Sequence, residues 1–373
     1  MKSPVKKILV IVTRQIGDVL LTTPFLRSLK GAFSTAKIDV LLFKGTEGIL
    51  VGNPDINTVI PIDKHPGIKE ALRLIKQIFR HYDLAISVLS GDRPMIYAFL
   101  AAPKRISIVP PYRLHDAWKR WITTKWTELD DWDTHTVIQN LRLCDLLGIK
   151  REYHLVIPES PTAQDTLRSL LPFRWPDQPY AVFHMVPRRR YKYWTLEGWV
   201  QLSRYLAPKG THVVITGGGD EEEMDYVHSA IAHMPENVTN LAGKLTFAEV
   251  ATLIQSSKIY VGPDTVVTHL AAATGKPTIA LFGPTNPVKW APWPFGYHLE
   301  INPFSRKGTQ RVGNVLLIQG PGDCVPCHKE GCEGHRQSKS RCMENLNPET
   351  VIQGIERMLH TQFLFGVSGK PDF

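Results

Sequence analysis

Ile8-Leu9-Val10-Ile11-Val12-Thr13-Arg14-Gln15-Ile16-Gly17-Asp18 is the stretch on which the fold turns. Five apolar residues in a row read as a strand buried on both faces, as in a parallel sheet covered by helices. A turn follows, and Asp18 opens a helical stretch, Asp18–Lys30. This is the first βα turn of a Rossmann-like half. It is not G-x-G-x-x-G, because Gly17 is its one glycine, so a dinucleotide pyrophosphate is not cradled here. A carboxylate stands at the helix start instead. The helix dipole favours its ionised form and keeps it a competent base; the alternative is a plain first-turn cap.

Outward from this turn the chain alternates strand and helix in two runs. Strands are expected at Ile8–Val12, Ile38–Phe43, Thr58–Ile62, Leu84–Leu89 and Arg105–Val109, with helices at Gly67–His81, Pro94–Ala102 and Thr134–Leu147. Pro158, Pro161, Pro172, Pro176 and Pro179 mark a linker. The second run expects strands at Tyr180–His184, His212–Thr216, Lys258–Val261 and Pro277–Leu281. Its helices are Leu196–Leu206, Asp220–Ala232, Phe247–Ser256 and Val266–Thr274, and Pro348–His360 reads as a last helix. The α/β pattern predicts two doubly wound domains with a cleft between them, residues 1–175 and 176–347, then a helix and tail over 348–373. The 373-residue length suits two cores.

Chemistry-bearing residues cluster at the strand ends of the second run. Asp264-Thr265 opens a helix after Val261-Gly262-Pro263, so free N–H groups and the helix dipole suit a diphosphate. His269 falls one turn later and is either a donor to the same guest or a satisfied, partly buried helix residue. Leu281-Phe282-Gly283-Pro284-Thr285 is a second strand-to-turn passage of this kind, and Arg188-Arg189-Arg190-Tyr191-Lys192 puts cations at the same sheet edge.

Gly17-Asp18-Val19-Leu20-Leu21-Thr22-Thr23-Pro24 resembles the opening motif of bacterial lipopolysaccharide heptosyltransferases. Asp264-Thr265 with His269, and Leu281 to Thr285, resemble their donor-binding block. Lys289-Trp290-Ala291-Pro292-Trp293 and the segment from Arg188 to Trp194 are most similar to the heptosyltransferase III type; Asn53 to Asn57 and Leu241 to Lys244 also fit. The similarity runs over roughly residues 6–295. It implies a GT-B architecture, two Rossmann-like domains with acceptor on the first and ADP-heptose on the second, and inverting transfer without a metal. Residue by residue, it implies Asp18 as general base and Lys192, with Arg188, against the leaving diphosphate. Asp264, Thr265 and His269 would line the diphosphate pocket, Gly283, Pro284 and Thr285 would belong to the donor site, and Glu221, from the run Glu221–Glu223, would hold the ribose. Gly17 would lie beside the acceptor. Val266 stands where relatives often have Gly, and Val186-Pro187 where they often have hydroxyl residues.

The net charge of +9 is uneven. Between Arg93 and Lys125 stand seven basic residues and one acid, Asp116, with Trp118, Trp121 and Trp126 in or beside them. This segment, Arg113, Lys119 and Arg120 in particular, suits the phosphates and acidic sugars of a Kdo-lipid A acceptor at the inner-membrane surface, or else is a solvated face. No helix-turn-helix or RNA-binding signature accompanies it, so nucleic acid is not expected. No apolar run of about 18 residues exists and no signal-peptide pattern is present, so a cytoplasmic, peripheral protein is expected. Cys324, Cys327, Cys332 and Cys342 follow a C-x-x-C pattern with two further thiols and could build a structural zinc or iron site, or be reduced surface thiols. No catalytic cofactor is expected. Asp131-Trp132-Asp133, the lone D-x-D, reads as an exposed acidic loop. A nucleotide-binding protein without transfer, a heptosyltransferase II-like enzyme or another nucleotide-sugar transferase remain alternatives.

Overall fold

The computed structural model describes residues 5–335 and 337–365. The chain divides into two units, one up to Pro158 together with Tyr297–Asn302, the other from Glu159 onward without that excursion. In the first, strands β1 (Lys7–Val12), β2 (Lys37–Phe43), β3 (Thr58–Ile62), β4 (Leu84–Ser87), β5 (Lys104–Val109) and β6 (Lys125–Glu128) form a parallel sheet in the order β3-β2-β1-β4-β5-β6. This is the doubly wound order, and its direction reverses between β1 and β4. Ile8 to Val12 are all buried, as a strand packed on both faces requires.

The second unit repeats the order. Strands β7 (Tyr180–His184), β8 (His212–Thr216), β9 (Val238–Asn240), β10 (Ile259–Pro263), β11 (Thr278–Phe282), β12 (Gln310–Val312) and β13 (Val315–Gln319) are arranged β12-β13-β11-β10-β7-β8-β9. The switch falls between β7 and β10. All pairs are parallel except the β12–β13 hairpin. Two residues, Gly313 at φ 54° and Asn314, make that turn, a short hairpin connection that needs a left-handed residue.

Several expectations are refined. The helix expected over Asp18–Lys30 is two, Ile16–Leu20 and Thr23–Ala32, because Pro24 sits in the first turn of the second and its missing N–H and ring favour a new start. The proline-rich stretch contains a helix, Ala163–Leu170, and the division between units falls at Pro158, not near residue 175. The final helix, Pro348–Phe365, is not a separate appendage: Val351, Ile355 and Met358 belong to the core of the second unit. Residues 366–373 of the expected tail lie outside the described residues. β6, β9, β12 and β13 were not anticipated. No described helix is long and apolar enough to cross a membrane.

Candidate functional site

Open α/β sheets bind ligands at the carboxyl ends of their strands, where the strand order reverses. In the first unit that place is the end of β1, and Asp18 stands there. It lies on the short helix Ile16–Leu20, 8% exposed, with Arg14 Nε 3.4 Å from its carboxylate. The turn behind it is braced. Thr22 Oγ1 donates to the Asp18 carbonyl at 2.8 Å, Thr23 Oγ1 to Leu20 O at 2.7 Å, and Asn140 Nδ2, from the helix Thr136–Leu147, to Leu21 O at 3.2 Å. A side chain built on Gly17 would meet nothing within 4 Å among the described residues. Gly17 therefore leaves open space beside the carboxylate rather than filling a packing need.

In the second unit the switch lies between β7 and β10. Lys192, in the turn after β7, places Nζ 2.5 Å from Asp264 Oδ2, in the turn after β10. Burial would raise the Asp264 carboxyl, but Lys192, His269 and hydrogen bonds from Lys192 and Thr285 outweigh it and hold it below the ordinary carboxylate range. Burial pushes His269 down to about 4, so at neutral pH the ring is uncharged and Lys192 carries the attraction. His269 Nδ1 is buried with no hydrogen-bond partner among the described residues, a state that ordinarily costs free energy. Thr265 caps the helix Val266–Ala273 by accepting from Thr268 N. Below the turn, Tyr260 and Thr268 hydroxyls meet at 2.8 Å, and Thr268 donates to the Pro263 carbonyl. The cation, the histidine and the helix start thus form one rigid corner able to take a diphosphate.

Comparison with known proteins matches this frame. Residues 71–305 fit the profile of glycosyltransferase family 9 (heptosyltransferase). Lipopolysaccharide heptosyltransferase 3 of Escherichia coli strain K12 is 34% identical over 293 residues, 75% of this chain and 83% of that one. The chain belongs to glycosyltransferase family 9. A family 9 glycosyl transferase from Veillonella parvula superposes with a TM-score of 0.75 at 20% identity, covering 95% of this chain and 97% of that one. E. coli ADP-heptose lipopolysaccharide heptosyltransferase II does so at 0.71 and 19%, covering 96% and 99%. These matches bear out the resemblance and the GT-B fold class of two Rossmann-like domains.

The rest of this family 9 glycosyltransferase's expected residues divide. Thr285 reaches Asp264. At Gly283 a Cβ would sit 2.8 Å from Met343 Sδ and 3.1 Å from Cys342 Sγ, so the C-terminal segment packs directly on the turn. Pro284 O accepts His328 N at 2.8 Å from the same segment. Arg188 is exposed. Glu221 is exposed on the first turn of its helix, whereas Glu223 folds back onto Gly218, where a Cβ would lie 2.2 Å from Oε2. Glu223 Oε2 has no hydrogen-bond partner among the described residues. Burial and then Asp220 raise the Glu223 carboxyl to about 7. Of the three successive glutamates, Glu223 and not Glu221 is thus the half-buried one, a difference that residue type alone does not signal.

The basic patch is not the free surface the charge count suggested. Lys119 is buried, with Nζ 2.6 Å from Asp116, 2.8 Å from Asp92 and 3.0 Å from Ser90 O. Burial would lower its pKa, but the two carboxylates win and raise it. Arg120 lies over the rings of Trp126 at 4.8 Å and Tyr112 at 5.2 Å and bonds Glu128 at 3.1 Å and Pro110 O at 3.0 Å. Both cations hold the fold together, because a buried charge must be paired; Arg113 alone of the three is exposed. Lys125 to Glu128 is the edge strand β6. Asp131 and Asp133 are exposed, as expected.

The four tail thiols differ in burial. Cys342 is buried in the core of the second unit, Cys324 and Cys332 are exposed and Cys327 is intermediate. Cys332 Sγ accepts Arg341 N at 3.4 Å. Among the described residues no three His, Cys, Asp or Glu side chains are grouped to hold a metal ion. Burial, and then the neighbouring tail thiols, push the Cys342 thiol up to about 11. Cys144 is likewise buried.

Proposed function

We propose that this chain transfers heptose from ADP-heptose onto the inner core of a lipid A-based lipopolysaccharide acceptor, with inversion at the anomeric carbon. The observation that supports this most is positional. Each sheet carries a buried carboxylate at its own switch point, Asp18 after β1 and Asp264, paired with Lys192, between β7 and β10. The two E. coli proteins named above are heptosyltransferases of lipopolysaccharide.

In this reading Asp18 accepts the proton of an acceptor hydroxyl as its oxygen bonds to the anomeric carbon. The bond from that carbon to the diphosphate oxygen breaks, and ADP leaves with the electron pair. Lys192 exchanges Asp264 for the diphosphate, the first N–H groups of Val266–Ala273 and Thr285 add donors, and His269 fills its open Nδ1 on the same group. Glu223 holds a ribose hydroxyl. Lys192 and the helix start do the work a metal does elsewhere. The acceptor is lipid-borne, so the protein works at the inner face of the cytoplasmic membrane as a peripheral enzyme.

The test is incubation of the purified protein with ADP-heptose and a heptose-truncated lipopolysaccharide. A product heavier by one heptose, released ADP and an inverted anomeric configuration support the reading. ADP-heptose bound without transfer would instead support a nucleotide-binding protein.

A further inference from the structure

One face of the first unit is apolar where a surface is ordinarily polar. The crossovers from β3 to β4, β4 to β5 and β5 to β6 all advance in one direction across the sheet. Right-handed connection then puts their helices, Ile68–Ile78, Asp92–Ala101 and Ala117–Trp121, on the same side. Contacts agree. Leu74 and Ile78 share a core with Tyr97, Ala98 and Ala101, and Lys119 pairs with Asp92. The segments of this layer carry the three most exposed large apolar side chains among the described residues: Trp121 at 85%, Leu114 at 84% and Ile68 at 81%. Leu72, Phe79, Ile96 and Phe99 are exposed as well.

The helix Ile68–Ile78 says what covers this face. At about 100° per residue, Leu74 and Ile78 point to the core, Ile68 and Leu72 form a second apolar stripe, and Lys69, Arg73 and Lys76 form a third about a quarter turn further round. All five stripe residues outside the core are exposed. The one acid of the helix, Glu70, is held by Lys44 at 3.1 Å and by Asp63 N. A protein partner would be expected to bury the apolar stripe against polar rims of both signs. An apolar stripe flanked by cations alone fits a bilayer, with side chains in the acyl boundary and ammonium groups at lipid phosphates. An exposed Trp at such a level is favoured too.

We propose that this face docks on an anionic lipid bilayer through Ile68, Leu72 and Phe79, with Lys69, Arg73 and Lys76 on the headgroups. The purpose rests on the lipid-borne acceptor of the proposed function: Ile68 and Leu114 follow the carboxyl ends of β3 and β5, the sheet edge at which Asp18 stands after β1.

Co-sedimentation with vesicles tests this, using phosphatidylcholine alone and equal parts phosphatidylcholine and phosphatidylglycerol, at low and high salt. The expected result is binding to the mixed vesicles, weakened by salt. Leu72→Glu with Phe79→Glu should lower partitioning about tenfold or more. Lys69→Gln, Arg73→Gln and Lys76→Gln together should lower it and flatten its salt dependence. An unchanged far-ultraviolet circular dichroism spectrum and a cooperative melt for the whole chain in both variants show that they fold. Wild-type protein that ignores mixed vesicles, or variants that sediment like wild type, overturn the proposal. So does a dimer that the Glu variant splits in sedimentation velocity while vesicle binding is unchanged. Vesicle binding by a protein that transfers no heptose refutes the function and leaves the docking face supported.

Discussion

Replacing Lys192 by Ala should separate what this cation does for the fold from what it does for the ligand. The substitution strips the buried Asp264 carboxylate of the ammonium 2.5 Å away. In the wild type the folded carboxyl titrates below its ordinary value. The pair therefore adds stability above the unfolded carboxylate pKa of about 4, and that stability is lost as pH falls through the depressed value. In the variant, burial acts with only Thr285 against it, because His269 is uncharged at neutral pH. The carboxyl then rises above its unfolded value, and its ionisation costs stability as pH rises. The gap between the two proteins should be small near pH ~4 and grow towards pH ~7. Breaking a buried pair costs roughly 3–5 kcal/mol; the Lys192 side chain is 21% exposed, so water relieves part of it and about 2–3 kcal/mol is expected at neutral pH. Urea unfolding at both pH values measures it. Adding Asp264→Asn to Lys192→Ala should recover most of the stability, yet ADP should still bind about tenfold or more weakly, the worth of a charge-assisted phosphate contact. A stability gap of equal size at both pH values, or a double variant no more stable than the single one, would refute the reasoning.

Three further outcomes are expected. Asp18→Asn should lower turnover about 10²–10⁴-fold while ADP binds within a few-fold of wild type; near wild-type turnover would remove the base assignment. Turnover should persist in excess EDTA, and loss of activity restored by magnesium or manganese would overturn the metal-free mechanism. Glu223 titrates at about 7 against an ordinary 4.5, so wild-type stability should fall relative to Glu223→Gln as pH rises through that window and level off above it. A pH-independent difference in melting temperature would show that the Glu223 carboxyl is not held in its half-buried place.

What could be read from the chain beforehand followed one physical rule: groups whose role is decided by their own neighbours in sequence were legible. The continuous apolar run of β1 and the helix start after it placed Asp18 in the first βα turn, and the same signal after β10 placed Asp264, Thr265 and His269 at a helix start; that both turns fall where the strand order reverses needed the sheet order. Groups whose role depends on a distant partner were not. Lys119 looked like a free cation although Asp116 stands three residues before it, because its burial and its second carboxylate, Asp92, 27 positions earlier, appear only in the fold. At Gly283 the sequence held no sign of the Cys342 and Met343 side chains that crowd the position from the C-terminal segment. Spacing offered the four tail thiols as ligands or as reduced surface thiols, and it held no sign that Cys342 is buried in the core of the second unit beside the turn that carries Pro284 and Thr285. β6 was hidden because an edge strand, half solvated, can carry Lys125, Trp126 and Glu128 and still pair. Charge counting then credited Lys125 and Trp126 to a ligand surface and passed over the helix Ile68–Ile78, where a spacing of three and four residues sets the exposed Lys69, Arg73 and Lys76 beside an exposed apolar stripe.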